Sequence, residues 1–164
     1  MAKFFSLIIL ISLVLGCKRQ QEGGEIRVIS DQQLAVDSLP KRVAMNSKVM
    51  AILKDWPEFK TLESSFDALY KAQNREELIL IMEDFVEKQK IMAASEYPQE
   101  FDIPQIKSRQ KVLKTFILKT KAALEYRTDL MEPTTEMIVA YNALRRQFNV
   151  TVNNTLDTDL ILVD

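Results

Sequence analysis

Asn74-Arg75-Glu76-Glu77-Leu78-Ile79-Leu80-Ile81-Met82-Glu83-Asp84-Phe85-Val86-Glu87-Lys88-Gln89-Lys90-Ile91-Met92 is the stretch on which the fold turns. Leu78, Met82, Phe85 and Met92 recur at steps of three, four and seven, which line up on one side of an α-helix. The acids Glu76, Glu77, Glu83, Asp84 and Glu87 fall away from that stripe, as on a solvated face. Asn74 with Glu77 three residues later is a capping-box pattern, in which each side chain takes a backbone N–H left free at the helix start. Leu78, Ile79, Ile81, Met82, Phe85 and Val86 together cover an arc wider than a two-helix seam needs. This helix therefore expects more than one neighbour.

The same spacing continues on both sides. Met45, Val49, Leu53, Trp56, Phe59, Leu62, Phe66 and Leu69 precede it; Ile106, Leu113, Ile117 and Leu124, then Met137, Tyr141, Leu144 and Phe148 follow. Four helical segments are expected, at 43–72, 74–96, 103–131 and 133–154. Asp102-Ile103-Pro104-Gln105 offers an N-cap acceptor and a proline whose missing N–H is harmless in a first turn, with Phe101 and Ile106 as a hydrophobic staple. Asp55-Trp56-Pro57-Glu58 repeats the signal, so the first segment kinks or restarts at Pro57. Pro133 is expected to begin the last helix. The two proline-led stretches match in type at an offset of 47 residues, and shared helix-start chemistry accounts for that without a duplication.

All three glycines, Gly16, Gly23 and Gly24, precede residue 25. The body therefore lacks the residue that reaches positive φ cheaply, which removes phosphate-cradling loops and the tight hairpin turns that favour glycine. The expected class is all-α: an up-down bundle of three to four helices, with a long kinked helical hairpin as the alternative. In the hairpin, 43–96 and 103–154 would each form one rod.

The N-terminus has a different character. Lys3 is a positive start, Phe4 to Leu15 an apolar run too short for a membrane span of about 20 residues, and Val14-Leu15-Gly16-Cys17 a processing site. This leader resembles the lipobox of bacterial lipoproteins. The resemblance covers residues 1–17 and implies cleavage before Cys17, lipid on its thiol, and attachment to a membrane of the bacterial cell envelope. Lys18 stands where aspartate would signal inner-membrane retention in enteric-type lipoproteins, so the resemblance implies the periplasmic side of the outer membrane. The domain plan is then a signal peptide at 1–16, a flexible tether at 17–42 broken by Gly23-Gly24 and Pro40, a helical domain at 43–155 and a tail at 156–164. The tail, ending in Asp159-Leu160-Ile161-Leu162-Val163-Asp164, either packs on the bundle or pairs as a strand with Ile26-Arg27-Val28-Ile29.

Cleavage after residue 16 leaves 148 of the 164 residues and removes Lys3, so 21 of the 22 basic side chains face 23 acidic ones, a net charge near −2. That balance, with export, argues against nucleic acid as a partner. Cys17 is the one cysteine, so no disulfide forms within the chain and packing supplies the stability. Histidine is absent, which excludes Ser-His-Asp and Cys-His catalysis and the usual histidine-ligated metals. The methionines are scattered singly as core filling, with no M-x-x-M cluster for copper. No cofactor and no enzymatic activity are expected.

Charge is uneven along the chain. Residues 104–127 carry seven basic side chains against Glu125 alone, while 74–100 carry seven acids against three bases. Lys107, Lys111, Lys114 and Lys121 project along one arc of their helix, beside its apolar face. The plain reading is a solvated surface; the functional one is a docking face for anionic lipid headgroups or an acidic protein. The expected function is a non-enzymatic, lipid-anchored envelope protein presenting a helical interaction surface. The alternative is a binder of an apolar small molecule or lipid among the aromatic side chains of the bundle.

Overall fold

The residues at steps of three, four and seven also fill the interior, all buried except Met45, whereas of the wider arc on the 74–96 segment Ile81 and Val86 are only partly buried and Ile79 is exposed. The computed structural model describes residues 34–153. Cys17, the leader, the tether as far as residue 33, the tail at 156–164 and the possible strand pair lie outside the described residues. Among the described residues there are five α-helices: α1 Ser47–Leu53, α2 Pro57–Leu69, α3 Arg75–Ala94, α4 Pro104–Glu125 and α5 Met131–Asn153. Single 3₁₀ turns sit at Val36–Ser38 and Gln99–Phe101, and no strand occurs among the described residues. The class is all-α.

The Asn74 cap forms, its side chain accepting from the Glu77 N–H at 2.8 Å, while Glu77 reaches one residue further back than a capping box does and accepts from the Gln73 N–H at 2.9 Å. Neither proline-led start follows the expected register. The residue before a proline is pushed out of the helical region, so Ile103 (φ −122°, ψ 152°) and Trp56 (φ −114°, ψ 85°) become the N-caps, one residue later than Asp102 and Asp55. Asp102 is left to pair with Lys107. The two stretches share only this start, for α2 has 13 residues and α4 has 22. The last helix begins at Met131, two residues before Pro133, where the Asp129 side chain accepts from the Met131 N–H at 3.1 Å.

The third segment stops at Glu125 rather than 131. Arg127 adopts φ 52°, the Thr128 N–H reaches Ala123 O at 3.0 Å, and the Arg127 N–H reaches Leu124 O at 3.3 Å. This is a Schellman C-cap. Its left-handed position is one that glycine usually holds, and here an arginine occupies it.

Contacts between helices rule out the long hairpin. α2 folds back on α3, where Ser65 Oγ donates to Asp84 at 2.6 Å and Trp56 Nε1 donates to Ser95 Oγ at 2.9 Å. α3 runs antiparallel to α4, with Arg75 reaching Leu124 O at one end and Tyr97 reaching Gln110 at the other. α4 and α5 are joined where Thr120 Oγ1 donates to Pro133 O at 3.0 Å. Rings link α2 to α5: Phe66 stacks on Tyr141 at 3.7 Å between centroids, and Phe59 meets Phe148 edge-on at 5.3 Å.

The folded part takes in residues that composition assigns to the tether. Leu34 and Leu39 are buried, Tyr70 donates to Pro40 O, and residues 41–46 run along α5 as a strap, so 43–46 are not helical and the first expected segment begins at Ser47 rather than 43. Asn142 accepts from the Val43 N–H at 2.8 Å and donates to Lys41 O at 2.9 Å. Asn149 does the same with the Asn46 N–H at 3.0 Å and Ala44 O at 2.9 Å. Between them Arg145 Nε donates to Val43 O at 2.6 Å, while its guanidinium pairs with Glu63.

Candidate functional site

Ser95 ends α3 by donating its hydroxyl to Met92 O at 2.9 Å, and Pro98 and Pro104 bracket the short turn that returns the chain into α4. This connection opens a groove of about 1010 Å³ along the last turns of α3 and the first half of α4. Lys107, Lys111 and Lys114 line it from α4, Gln89 from α3, and Tyr97 from the connection. Three of the four lysines singled out in the sequence are thus brought to one concavity. Lys121 is not among them; it pairs with Glu125 one turn along the same helix, at 3.3 Å.

The lysines differ in their surroundings. Lys107 pairs with Asp102 and holds its ammonium 5.4 Å from the centroid of the Tyr97 ring. Lys111 and Lys114 are exposed and form no ion pair among the described residues. Glu96 and Asp102 also line the groove, leaving three lysines against two carboxylates, one of which is already engaged.

Tyr97 is held in place by its neighbours. Its ring lies 4.9 Å from that of Trp56, and its hydroxyl donates to Oε1 of Gln110. Burial pushes its phenol above the ordinary value, opposed by the charge of Lys107. Gln110 is only 3% exposed, and with Oε1 accepting from Tyr97 its Nε2 has no acceptor among the described residues. Gln89, 2% exposed, forms no side-chain hydrogen bond among the described residues.

Sequence reasoning missed Tyr97, Gln89 and Gln110. A signal existed for the glutamines, since each falls on an apolar spacing, Gln89 between Phe85 and Met92 and Gln110 between Ile106 and Leu113. A polar residue at a core position is informative where a polar residue on the surface is not.

Chemically, the groove can hold anionic groups against Lys111 and Lys114. Among the described residues no group of three or more acids is placed to hold a metal ion, and no helix is long and apolar enough to cross a membrane. No protein-family model matches the chain, and neither a curated protein nor a solved structure matches it.

Proposed function

We propose that this chain is a lipid-anchored, non-enzymatic protein of the bacterial cell envelope whose four long helices form an up-down bundle presenting an interaction surface to an acidic protein partner. The anchor rests on the Cys17 leader. The observation that carries the interaction surface is the convergence of Lys107, Lys111 and Lys114 on one groove, two of them without an ion-pair partner among the described residues. The aromatic residues on which an apolar binder would depend are engaged with one another, as Trp56, Phe59 and Phe148 are at centroid distances of 5.3–6.4 Å. They support the interaction surface over that alternative.

Two experiments test the two halves of the proposal. Cys17→Ser is expected to abolish labelling of the protein by a radioactive fatty acid and to release it from membranes; unchanged labelling refutes the anchor. For the surface, the mature protein in detergent is expected to bind an acidic peptide, weakening with salt because exposed charges are screened beyond a Debye length of about 8 Å at physiological ionic strength. Lys111→Gln/Lys114→Gln is expected to remove that binding without lowering the melting temperature, since exposed charges contribute little to folding. Binding that ignores both salt and these lysines refutes the docking face.

A further inference from the structure

We infer that residues 154–164 of this chain fold back along the groove, with Asp157 and Asp159 on Lys111 and Lys114, and hold it closed to other acidic segments. The inference rests on the docking face proposed above and gives that face its regulation. Charge points to this occupant. Asn154-Thr155-Leu156-Asp157-Thr158-Asp159-Leu160-Ile161-Leu162-Val163-Asp164 carries three acids and no base. Lys111 and Lys114 are exposed and have no ion-pair partner among the described residues. Residues 18–33, between the leader and the described residues, balance three bases against three acids and offer the lysines no net attraction.

Position points the same way. α5 returns along α4 and stops beside its start, where Gln147 lies with Pro104 and Ser108 and the Phe148 ring is 4.5 Å from that of Phe101. Helical side chains lean toward the N-terminal end of their helix, so Lys111 and Lys114 lean toward the end of the bundle at which α5 stops, at Asn153. The chain from Asn153 to Asp157 spans up to about 13 Å at about 3.3 Å per residue, against about 8–10 Å between the axes of packed helices. The register then matches. In an extended chain Asp157, Asp159, Ile161 and Val163 share one face at steps of about 6.6 Å. On α4, Lys111, Lys114 and Leu118 share one arc at steps of about 4.5 and 6 Å, and Leu118 is 44% exposed. Two acids therefore come to two lysines, and the apolar residues after them cover an apolar side chain.

The test compares the mature protein in detergent with the same chain ending at Asn153 and with the full-length variant Asp157→Asn/Asp159→Asn, which keeps the tail and removes its charge. Two fluorescein-labelled, end-blocked peptides are followed by fluorescence anisotropy: residues 154–164 themselves, and four Glu-Ser repeats. A tail held beside its site acts at an effective concentration of about 1 mM, so a peptide with a Kd of about 0.1 mM for the open groove is expected to bind wild type about tenfold more weakly than either altered form. Lys111→Gln/Lys114→Gln in the shortened chain is expected to remove binding of both peptides. Carbodiimide, which joins a lysine to a carboxylate in contact with it, is expected to link Asp157 or Asp159 to Lys111 or Lys114 in wild type. In a mixture of ¹⁵N-labelled and unlabelled protein, those links are expected within single copies. Equal binding of the Glu-Ser peptide by all three forms overturns the inference and leaves the docking face standing. Binding of the tail peptide that ignores the two lysines overturns it by placing the tail elsewhere, and links between labelled and unlabelled copies overturn it in favour of exchange between molecules. No binding of either peptide to the shortened chain or to the Asn variant removes the docking face as well.

Discussion

Replacing Asn142 with alanine should loosen the strap while leaving the helices it lies on folded. The side chain makes two hydrogen bonds to the strap, to the Val43 N–H at 2.8 Å and to Lys41 O at 2.9 Å, from a residue that is 5% exposed. At a net value of about 1 kcal/mol each, their loss lowers the free energy of opening the strap by about 2 kcal/mol. Global stability should fall by less, because alanine is the better helix former by several tenths of a kcal/mol at an interior position. Lys41 and Arg42 lie within the strap and supply trypsin sites, so limited proteolysis reads its opening directly. When closing outpaces cleavage, the rate follows the open population, and about 2 kcal/mol corresponds to cleavage faster by roughly thirtyfold, at 1.4 kcal/mol per factor of ten. Asn149→Ala removes the equivalent pair of bonds at Asn46 and Ala44, and should accelerate cleavage at Lys41 and Arg42 comparably if the strap opens as one unit. Arg109, on α4 and away from the strap, is the internal control. Unchanged cleavage at Lys41 and Arg42 in Asn142→Ala would refute the reasoning, and would mean that burial of Leu34 and Leu39 holds the segment without the amides.

Three further outcomes follow from local chemistry. Arg127→Gly should stabilise the protein by about 1 kcal/mol in urea unfolding, because glycine removes the Cβ conflict at φ 52° while the Schellman bonds remain. Burial, helped by the charge of Glu63, raises the Tyr141 phenol above its ordinary value. The unfolded chain then releases this proton first, from about pH 10 upward, so stability should be flat below that pH and fall above it; Tyr141→Phe should flatten the decline seen in melts from pH 9 to 11. Phe66→Ala should cost about 3–5 kcal/mol in chemical denaturation, since its ring is fully buried between Phe85 and Tyr141 and leaves a cavity that neighbouring rings cannot close.

The helical class was written into local sequence. Apolar residues at steps of three and four, together with a body free of glycine, leave no good alternative to helices, and the same residues fill the core. The Asn74 cap was equally legible, because the bond from the Glu77 N–H to its side chain closes within four residues. The starts at Asp55 and Asp102 were misread by one position: the conformational effect of a proline on the residue before it outweighed the capping preference of aspartate. The end of α4 escaped notice for the opposite reason, since the left-handed turn at Arg127 carries no glycine to mark it.

What the sequence could not express is which distant groups meet. Asn142, Arg145 and Asn149 look like ordinary polar positions on a helix, and become a ladder only when residues 41–46, about a hundred positions earlier, are laid against them. Lys107, Lys111 and Lys114 were legible as a stripe because helical geometry is local. That the stripe borders a groove depended on the turn at 95–103, which brings Tyr97 onto Gln110 and α3 alongside α4. Backbone geometry and apolar spacing act over a few residues, so sequence alone determines the helices. The hydrogen-bond partner of a buried amide is fixed only when separate segments pack, so the strap and the groove belong to the tertiary structure.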